Sequence, residues 1–571
     1  MFFRIIRQSW NSFTGTERRN IALYILGIMI YKFGLEAFNG SIVALATNRY
    51  DYDAYTSKTT SKTFERVGLL TGLNQAFQCV GAILIAPLVR RAPTKLVLST
   101  AVLTFGIFTA ILLIVDASTG GSFVPKNYRG KHPKNDFHYY GKYHTDGMIP
   151  IYSVTGIAYG MVELIRRVIP RDIVGGNVQK LRQMDALVHI FYEISGTSGA
   201  FCTALALIPN LGNNYSFIIT PVCFTFAAAT WYCITDLDFR PVNQEVLGEQ
   251  PAYIKAIVGS FYLFVESYWT GAKLTLTNRR FVWLLPGYAL ALYGHRYLEN
   301  GIAPAIARRY LGNSAWSQVI VGGSNLGELL GAAFVFFFTN FITTPIPWIR
   351  LDSVMVLVVW YLAFWHPPSG QVAYAWIVAA TFLPISFGWA AGDVSLAAYI
   401  QATLARVEAK TKNVSALGAV MAFLYTTYII IYAITSPLLG RYVDKVFNES
   451  GGAEGGGDIH KAIRNIGGIQ FTILAGVIMA ATFVPQGAFK LNPRILFDQD
   501  LESDVGRASN KLDDTIDLSN YQHENGYSSD GGSRRFGSRR GSRSRSRHAS
   551  RQDSYGTSRQ GSYPTPKYPS G

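Results

Sequence analysis

The stretch that decides the fold of this chain is residues 24–50, YILGIMIYKFGLEAFNGSIVALATNRY. It is mostly apolar and is longer than the roughly 20 residues that cross a bilayer as a helix. It also carries Lys32 and Glu36 one helical turn apart, and Asn39 follows them. Charged side chains are costly in hydrocarbon and usually face the interior of a helical bundle or a watery cavity. The stretch therefore predicts a membrane-spanning helix with charges turned toward other helices.

A related stretch, LPGYALALYGHRYLENGIAPAIARRY, occupies residues 285–310 and aligns with the first at an offset of 260 positions. The matching positions are Gly27 and Gly287, Gly34 and Gly294, Ile42 and Ile302, Arg49 and Arg309, and Tyr50 and Tyr310. The repeat predicts two similar halves, each of which begins with one copy of this helix. Lys32 and Glu36 are not shared, because Leu292 and Arg296 stand in their places. The two halves therefore differ in their charges.

Composition places the rest of the chain in a membrane as well. Of the 571 residues, 49% are hydrophobic and only 15% are charged, which is too apolar for an ordinary soluble protein. About twelve windows fit a membrane span, and we place them at about 21–47, 66–88, 95–116, 149–167, 186–208, 214–235, 281–303, 314–341, 351–366, 371–391, 413–438 and 466–485. The fold class predicted is an all-α membrane protein with two sets of six transmembrane helices.

Five segments follow from this pattern. They are an N-terminal interfacial segment at 1–20, a first six-helix half at 21–235, a cytosolic connector with an amphipathic helix at 236–280, a second six-helix half at 281–486, and a disordered tail at 487–571. Lys and Arg near the span ends place the N-terminus in the cytosol, and an even number of spans places the C-terminus there too. Arg308 and Arg309 are exceptions, because they would face outward. The sequence does not distinguish the plasma membrane from a vacuolar or other endomembrane.

Charges inside the spans are the candidates for contact with a substrate or a proton. Lys32 with Glu36, Glu163 with Arg167, and His189 with Glu193 are spaced four apart, Arg296 with Glu299 three apart, and Glu328 stands alone. Such pairs either neutralise one another and fix helix packing, or they face a solute. Glu193 and Glu328 favour the second reading, because neither has an obvious partner beyond His189. A buried carboxyl group without a partner readily takes up a proton, which proton coupling requires.

Several other functions are not indicated. The six-residue spacing of His132, His138 and His144 is not a recognised metal-ligand pattern, so we expect no metal and no cofactor. No nucleophile elbow or phosphate-binding glycine loop occurs, which argues against an enzyme and against an ATP-driven pump. The excess of positive charge is concentrated in the tail, where ten Lys or Arg face one Asp after residue 530. It does not indicate a nucleic-acid partner.

Two kinds of modification are predicted. Asn448 begins a glycosylation triplet in a loop that we expect outside the cytosol. In the tail, five serines each lie three residues after an arginine, a pattern that basophilic kinases recognise; we call them the tail serines, and they are Ser538, Ser542, Ser550, Ser554 and Ser562. The alternative is an unmodified basic tail that rests on anionic lipid.

The layout of the chain resembles the major facilitator superfamily from Ile21 to about Pro485. The superfamily's G-x-x-x-D-[RK]-x-G-[RK]-[RK] motif corresponds to Ala86–Lys95, which keeps Arg90 and Arg91 but lacks the acid. A closer match, Gly440-Arg-Tyr-Val-Asp444-Lys445, follows the eleventh span, on the side opposite the motif's usual place. The gating candidates that this resemblance implies are Arg90, Arg91, Gly440, Asp444 and Lys445.

The same resemblance implies a bilobal fold with a central cavity and alternating access. In such proteins the first, fourth, seventh and tenth spans line the cavity. The lining candidates are Lys32, Glu36, Asn39, Glu163, Arg296 and Glu299, with Glu193 and Glu328 at its border. We expect a proton-coupled or facilitative transporter of a small polar solute. The alternatives are a nutrient sensor that signals through its tail and a non-transporting scaffold or lipid-handling protein.

Overall fold

The computed structural model describes residues 13–89, 91–128, 138–166, 169–174, 178–235, 253–338, 342, 344–404, 416–453, 455–485 and 487–490. Among these residues the secondary structure is entirely helical, without a strand. Most of the predicted N-terminal segment, residues 236–252 of the connector, and residues 491–571 of the tail with the five tail serines lie outside the described residues.

The first half consists of long helices with one short one between them. They are α1 at Gly15–Ser57, α2 at Thr63–Val89, α3 at Thr94–Ser118, α4 at Met148–Ile165, the short α5 at Ile169–Val174, α6 at Val178–Cys202 with its continuation through Thr203–Leu207 and Ile208–Leu211, and α7 at Ile219–Tyr232. The first helix begins at a capping box, in which Thr14 Oγ1 accepts from the Glu17 amide and the Glu17 carboxylate accepts from the Thr14 amide. It runs through Asp51 and Asp53 to Ser57, ten residues beyond the predicted end of the span.

The second half follows the same plan after an amphipathic helix. Its elements are α8 at Tyr253–Thr277, α9 as a composite of Leu285–Leu290, Ala291–Tyr297, Leu298–Ile302 and Ala303–Arg309, α10 at Ser317–Phe338, α11 at Ile346–Met355 with a 3-10 extension at Val356–Ala363, α12 at Val372–Leu404, α13 at Ala416–Glu449, and α14 as a composite of His460–Ile463, Arg464–Gln470 and Phe471–Ala481. Two of the four pieces of α9 are π turns, Leu285–Leu290 and Leu298–Ile302. Such turns are frequent at functional sites.

In the described part of the chain, ten helices are long and apolar enough to cross a membrane. The two other expected spans are a shorter apolar helix at Ser216–Tyr232 and the composite α9. The protein is an all-helical, multi-pass membrane protein.

The buried apolar side chains form two main clusters, one for each half. The first consists of residues between Phe13 and Ile234, and the second consists of residues from Phe281 onward together with Phe64 and Ala204. Small residues allow close helix contact, as the sequence predicts: a Cβ on Gly327 of α10 would lie 2.2 Å from the backbone oxygen of Leu383 on α12. The segment boundaries drawn from the sequence stay a prediction.

The two ends of the helical bundle are distinguished by their contacts. The C-terminal part of α1, the residues just before α2 and the ends of α9 and α13 meet at one end, through Asp51, Ser61, Arg309 and Asn448. We call this the distal end. The opposite end, where α1 begins at Gly15, is the proximal end.

Candidate functional site

Six charged residues come together near the middle of four helices, two from each half. Lys32 and Glu36 lie on α1, Glu193 lies on α6, Arg296 and Glu299 lie on α9, and Glu328 lies on α10. Electrostatic interactions join Glu193 and Glu328 to each other and to residues of both pairs. We call this group the central cluster. It brings together six of the eight candidates for substrate or proton binding that the sequence provides.

Two of the contacts in the central cluster are ion pairs within one helix. Lys32 Nζ donates to Glu36 Oε1, and both residues are buried. Arg296 Nη1 lies 2.8 Å from Glu299 Oε2. The other carboxylate oxygen of Glu299 accepts from Ser324 Oγ on α10 at 2.6 Å. Each basic residue of the cluster therefore has one carboxylate as its close partner.

The two remaining acids have no such partner. In the described part of the chain, neither Glu193 nor Glu328 has a hydrogen bond or an ion pair, and Glu193 is 2% exposed. The amide nitrogen of Asn325, one turn from Glu328, is also buried without a hydrogen-bond partner. Buried polar groups are nearly always hydrogen-bonded, so unmet groups of this kind require an explanation.

A glycine allows the central cluster to form. A Cβ on Gly196 of α6 would lie 2.6 Å from Lys32 Cε and 3.2 Å from Asn325 Nδ2. The absence of a side chain at Gly196 therefore leaves room for the end of the Lys32 side chain. Gly196 lies where α6 of the first half comes close to α10 of the second.

Tyrosine rings surround the charges. Lys32 Nζ lies 4.5 Å from the centre of the Tyr192 ring, which suits a cation–π contact. Tyr159 and Tyr428 interact electrostatically with Arg296. The Arg296 side chain is 41% exposed, whereas that of Glu299 is 8% exposed. The Arg296 side chain is therefore more open to water than its carboxylate partner.

The two other lining candidates bind within their own half. Asn39 Oδ1 accepts from the hydroxyl of Tyr152 at 3.0 Å. Glu163 pairs with Arg166 at 2.5 Å, and the predicted partner Arg167 lies outside the described residues. A helix brings both the third and the fourth following residue to the same face, so the spacing from Glu163 to Arg166 suits this pair. The roles of Asn39 and Glu163 in binding stay predictions.

The best-matched gating candidate connects the two halves. Asp444 of α13 is 3% exposed, and it accepts from the Glu65 amide at 2.8 Å at the start of α2. Asp444 thereby satisfies one of the first amides of α2, which have no partner inside the helix. Next to it, a Cβ on Gly440 would lie 2.0 Å from the backbone oxygen of Phe64, so α13 and α2 touch here.

The remaining gating candidates lie elsewhere. Lys445 is exposed and lies 3.8 Å from Glu449. Arg91 lies 5.7 Å from the ring centre of Tyr253 on α8. Arg90 is outside the described residues.

Asp51 is the centre of a group of contacts that the sequence reasoning missed. It accepts from Arg308 Nε at 2.5 Å and from Arg309 Nη2 at 2.7 Å, and Thr63 Oγ1 also donates to it at 2.5 Å. Arg309 also stacks on the ring of Phe447, with 3.8 Å to its centre. We call Asp51, Arg308 and Arg309 the distal latch, because they join α1 to α9 at the distal end.

Two further features lie near these sites. The amide of Asn448 donates to the Ser61 backbone oxygen at 2.9 Å and accepts from the Ser61 backbone nitrogen at 3.0 Å. Its glycosylation stays a prediction. His295 of α9 lies 2.8 Å from Asp352 of α11, and both are buried. An acid inside an apolar span was the signal for Asp352, and it was missed.

The described residues contain no group of three or more His, Cys, Asp or Glu side chains placed to hold a metal ion. His132 lies outside the described residues, whereas His138 and His144 are described.

Comparisons with known proteins identify the fold. No family model matches the chain, and no curated protein matches it. Among solved structures, it is similar to a D-xylose–proton symporter, with 12% identity, 82% of this chain and 97% of the other covered, and a TM-score of 0.54. It is also similar to a mutant of the peptide transporter POT, with 11% identity and a TM-score of 0.50; the match covers 80% of this chain and 93% of the other. A third similar structure, the nucleoside transporter NupG, has 14% identity, 80% and 98% covered, and a TM-score of 0.48.

The likenesses to the symporter and to the peptide transporter define the class of protein first: an all-helical membrane protein that crosses the bilayer many times, with ten helices of spanning length in its described part. More particularly, the chain has the major facilitator fold. The resemblance inferred from the order of its spans and its motifs is thereby confirmed for the fold.

Proposed function

We propose that this protein is a secondary transporter that moves a small polar solute by alternating access and is coupled to protons. The observation that carries the proposal is the central cluster. The cluster lies near the middle of helices from both halves. A binding site at this depth can be opened to either side of the membrane. Charges at this depth are too costly to keep without a function or full compensation.

Proton coupling follows from the balance of charge in the central cluster. Four carboxylates and two basic groups leave a net charge of −2 when all six are ionised. In a medium of low dielectric constant such an excess is costly, so it must be neutralised by protons or by a bound cation. Glu193 and Glu328 are the candidates for the protons, because the other two acids have close basic partners.

The contacts at the distal end support alternating access. Asp51 of the first half binds Arg308 and Arg309 of the second, and Asp444 binds the start of α2. Every one of these contacts would have to break for a solute to enter from the distal side. We therefore propose that the described conformation is closed at the distal end. With both termini in the cytosol, the distal end would face away from it.

Proteoliposomes test the proposal. Full-length protein is reconstituted with a pH-sensitive dye inside the vesicles, a mixture of polar metabolites is added outside, and internal solutes and pH are followed after an imposed pH gradient. We expect a solute to accumulate together with a change of internal pH. Glu193→Gln and Glu328→Gln should abolish the accumulation, whereas Glu449→Gln, an exposed acid on the distal surface, should not.

The nutrient sensor is the competing interpretation, and the same experiment separates it from a transporter. A sensor would bind a solute without any flux in intact vesicles. A scaffold or lipid-handling protein would keep its function when Glu193 and Glu328 are neutralised. Either result would overturn the proposal.

A further inference from the structure

The charges of the central cluster point to a class of solute. In the ion pairs Lys32–Glu36 and Arg296–Glu299 the positive and negative charges cancel within a single helix, α1 or α9. The excess negative charge therefore belongs to Glu193 and Glu328, which approach each other from α6 and α10. An anionic solute would add to this excess and would be repelled, whereas a cation would remove it.

Two buried polar groups without hydrogen-bond partners lie at the same place, and they favour a site that binds a specific ligand over a cluster that serves only helix packing. Glu193 Oε2 is a buried acceptor without a donor, and Asn325 Nδ2 is a buried donor without an acceptor. Leaving such groups unpaired costs roughly 1–3 kcal/mol each. They lie on facing helices, because Asn325 Nδ2 would be only 3.2 Å from a Cβ on Gly196, one turn from Glu193. A ligand that offers both a charged donor and an acceptor would satisfy both groups.

The aromatic surroundings suit a cation as well. Tyr192 already holds the Lys32 ammonium over its ring at 4.5 Å, and Tyr159 and Tyr428 stand around Arg296. The faces of aromatic rings attract ammonium groups. Burying a ring costs less desolvation free energy than burying a further carboxylate would. The partly exposed Arg296 adds donors at the watery edge of the cluster, where a carboxylate or another acceptor of the same solute would lie.

From these observations we propose that the solute carries a protonated amine, and that Glu193 and Glu328 bind its ammonium group from the two halves. Asn325 and Arg296 donate to an acceptor on the same molecule. The inference rests on the proposed function, since it names the solute class of the transport site. Protons are the other means of neutralising the two acids, and they take the place of the amine when the site is empty.

A matched series of four-carbon compounds tests the inference. The probes are butylamine (a cation), 4-aminobutyrate (a zwitterion), butyrate (an anion) and butanol (neutral). Binding to full-length protein in detergent is measured by calorimetry and by the shift in melting temperature. We expect binding of the two amines only, with 4-aminobutyrate the tighter of the two because it also offers an acceptor.

Variants assign the binding to the two acids. Glu193→Gln and Glu328→Gln should each weaken the binding of the amines at least tenfold, whereas Glu193→Asp, which keeps the charge, should weaken it less. Glu449→Gln should bind as the unchanged protein does. Size-exclusion profiles and melting temperatures identify any variant that fails to fold. If the Glu193 variants do not fold, the binding measured with Glu328→Gln decides the test.

The outcomes separate this inference from the proposed function. Amine binding without flux in proteoliposomes would support the amine site and contradict the proposed transport. Flux of other solutes, without binding of either amine, would support transport and contradict the amine site. Binding of butyrate or butanol as tight as that of the amines, or no binding by any of the four probes, would also overturn it.

Discussion

The distal latch gives the sharpest prediction, the substitution Asp51→Asn. It removes the charge that holds Arg308 and Arg309, while the amide keeps the size of the side chain and one acceptor. Because the three residues join α1 to α9, the substitution acts on the closed distal end and not on the fold of either half. We expect the population to move toward a conformation that is open at the distal end.

The magnitude follows from the burial of the latch. The side chains of Asp51 and Arg309 are each 9% exposed and that of Arg308 is 16% exposed, so little solvent is present to replace the lost charge. Removing one partner of a buried ion pair costs roughly 3–5 kcal/mol. We take about 3 kcal/mol, because Arg309 keeps its stacking on Phe447. Such a change shifts a two-state equilibrium by about 150-fold.

Distance measurements between two spin labels detect this shift. Labels at Tyr55 on α1 and Glu449 on α13, both exposed, report the separation of the halves at the distal end. The four native cysteines are free thiols and are first replaced by serine. We expect one short distance in the parent and a dominant longer distance in the Asp51→Asn protein.

A matched control uses Asp53→Asn, which removes an exposed acid two residues away on the same helix. It should leave the distances as in the parent. The double exchange Asp51→Arg with Arg309→Asp should restore part of the short distance. If Asp51→Asn gives the same distance distribution as the parent, the latch does not hold the distal end closed, and the reasoning fails.

Three further predictions concern packing, the central cluster and the tail. Gly327→Val should lower the melting temperature by several degrees, because its Cβ would lie 2.2 Å from the Leu383 backbone oxygen. Overpacking of this kind costs roughly 1–3 kcal/mol. The control Gly476→Ala should leave the melting temperature unchanged, because a Cβ there would have no atom within 4 Å. Glu299→Gln should reduce solute flux at least tenfold without loss of protein from the membrane, since Arg296 loses its close partner; flux equal to the parent would contradict this. Mass spectrometry of the protein from its native cells should find phosphate on the tail serines, and serines that stay unmodified under all growth conditions would remove the hypothesis.

The sequence by itself determined the membrane class, the number and order of most helices, and the residues of the central cluster. It could do so because apolar length and intramembrane charge are local properties, readable along a single helix. Lys32 with Glu36 and Arg296 with Glu299 were predicted as pairs because residues three or four apart share one face of a helix. For Glu163 the structure adds a pair with Arg166, three residues further along the same helix.

Only the tertiary structure decided which helices these charges meet. Asp51 is 257 positions from Arg308, and Asp444 is 379 positions from Glu65, so no spacing rule relates them. The same holds for His295 and Asp352 and for the approach of Glu193 to Glu328. These contacts depend on how two halves pack and on where glycines such as Gly440 let backbones approach. The stretch at residues 24–50 thus supplied Lys32 and Glu36 from its own sequence, whereas their neighbours on α6, α9 and α10 come from packing between distant parts of the chain.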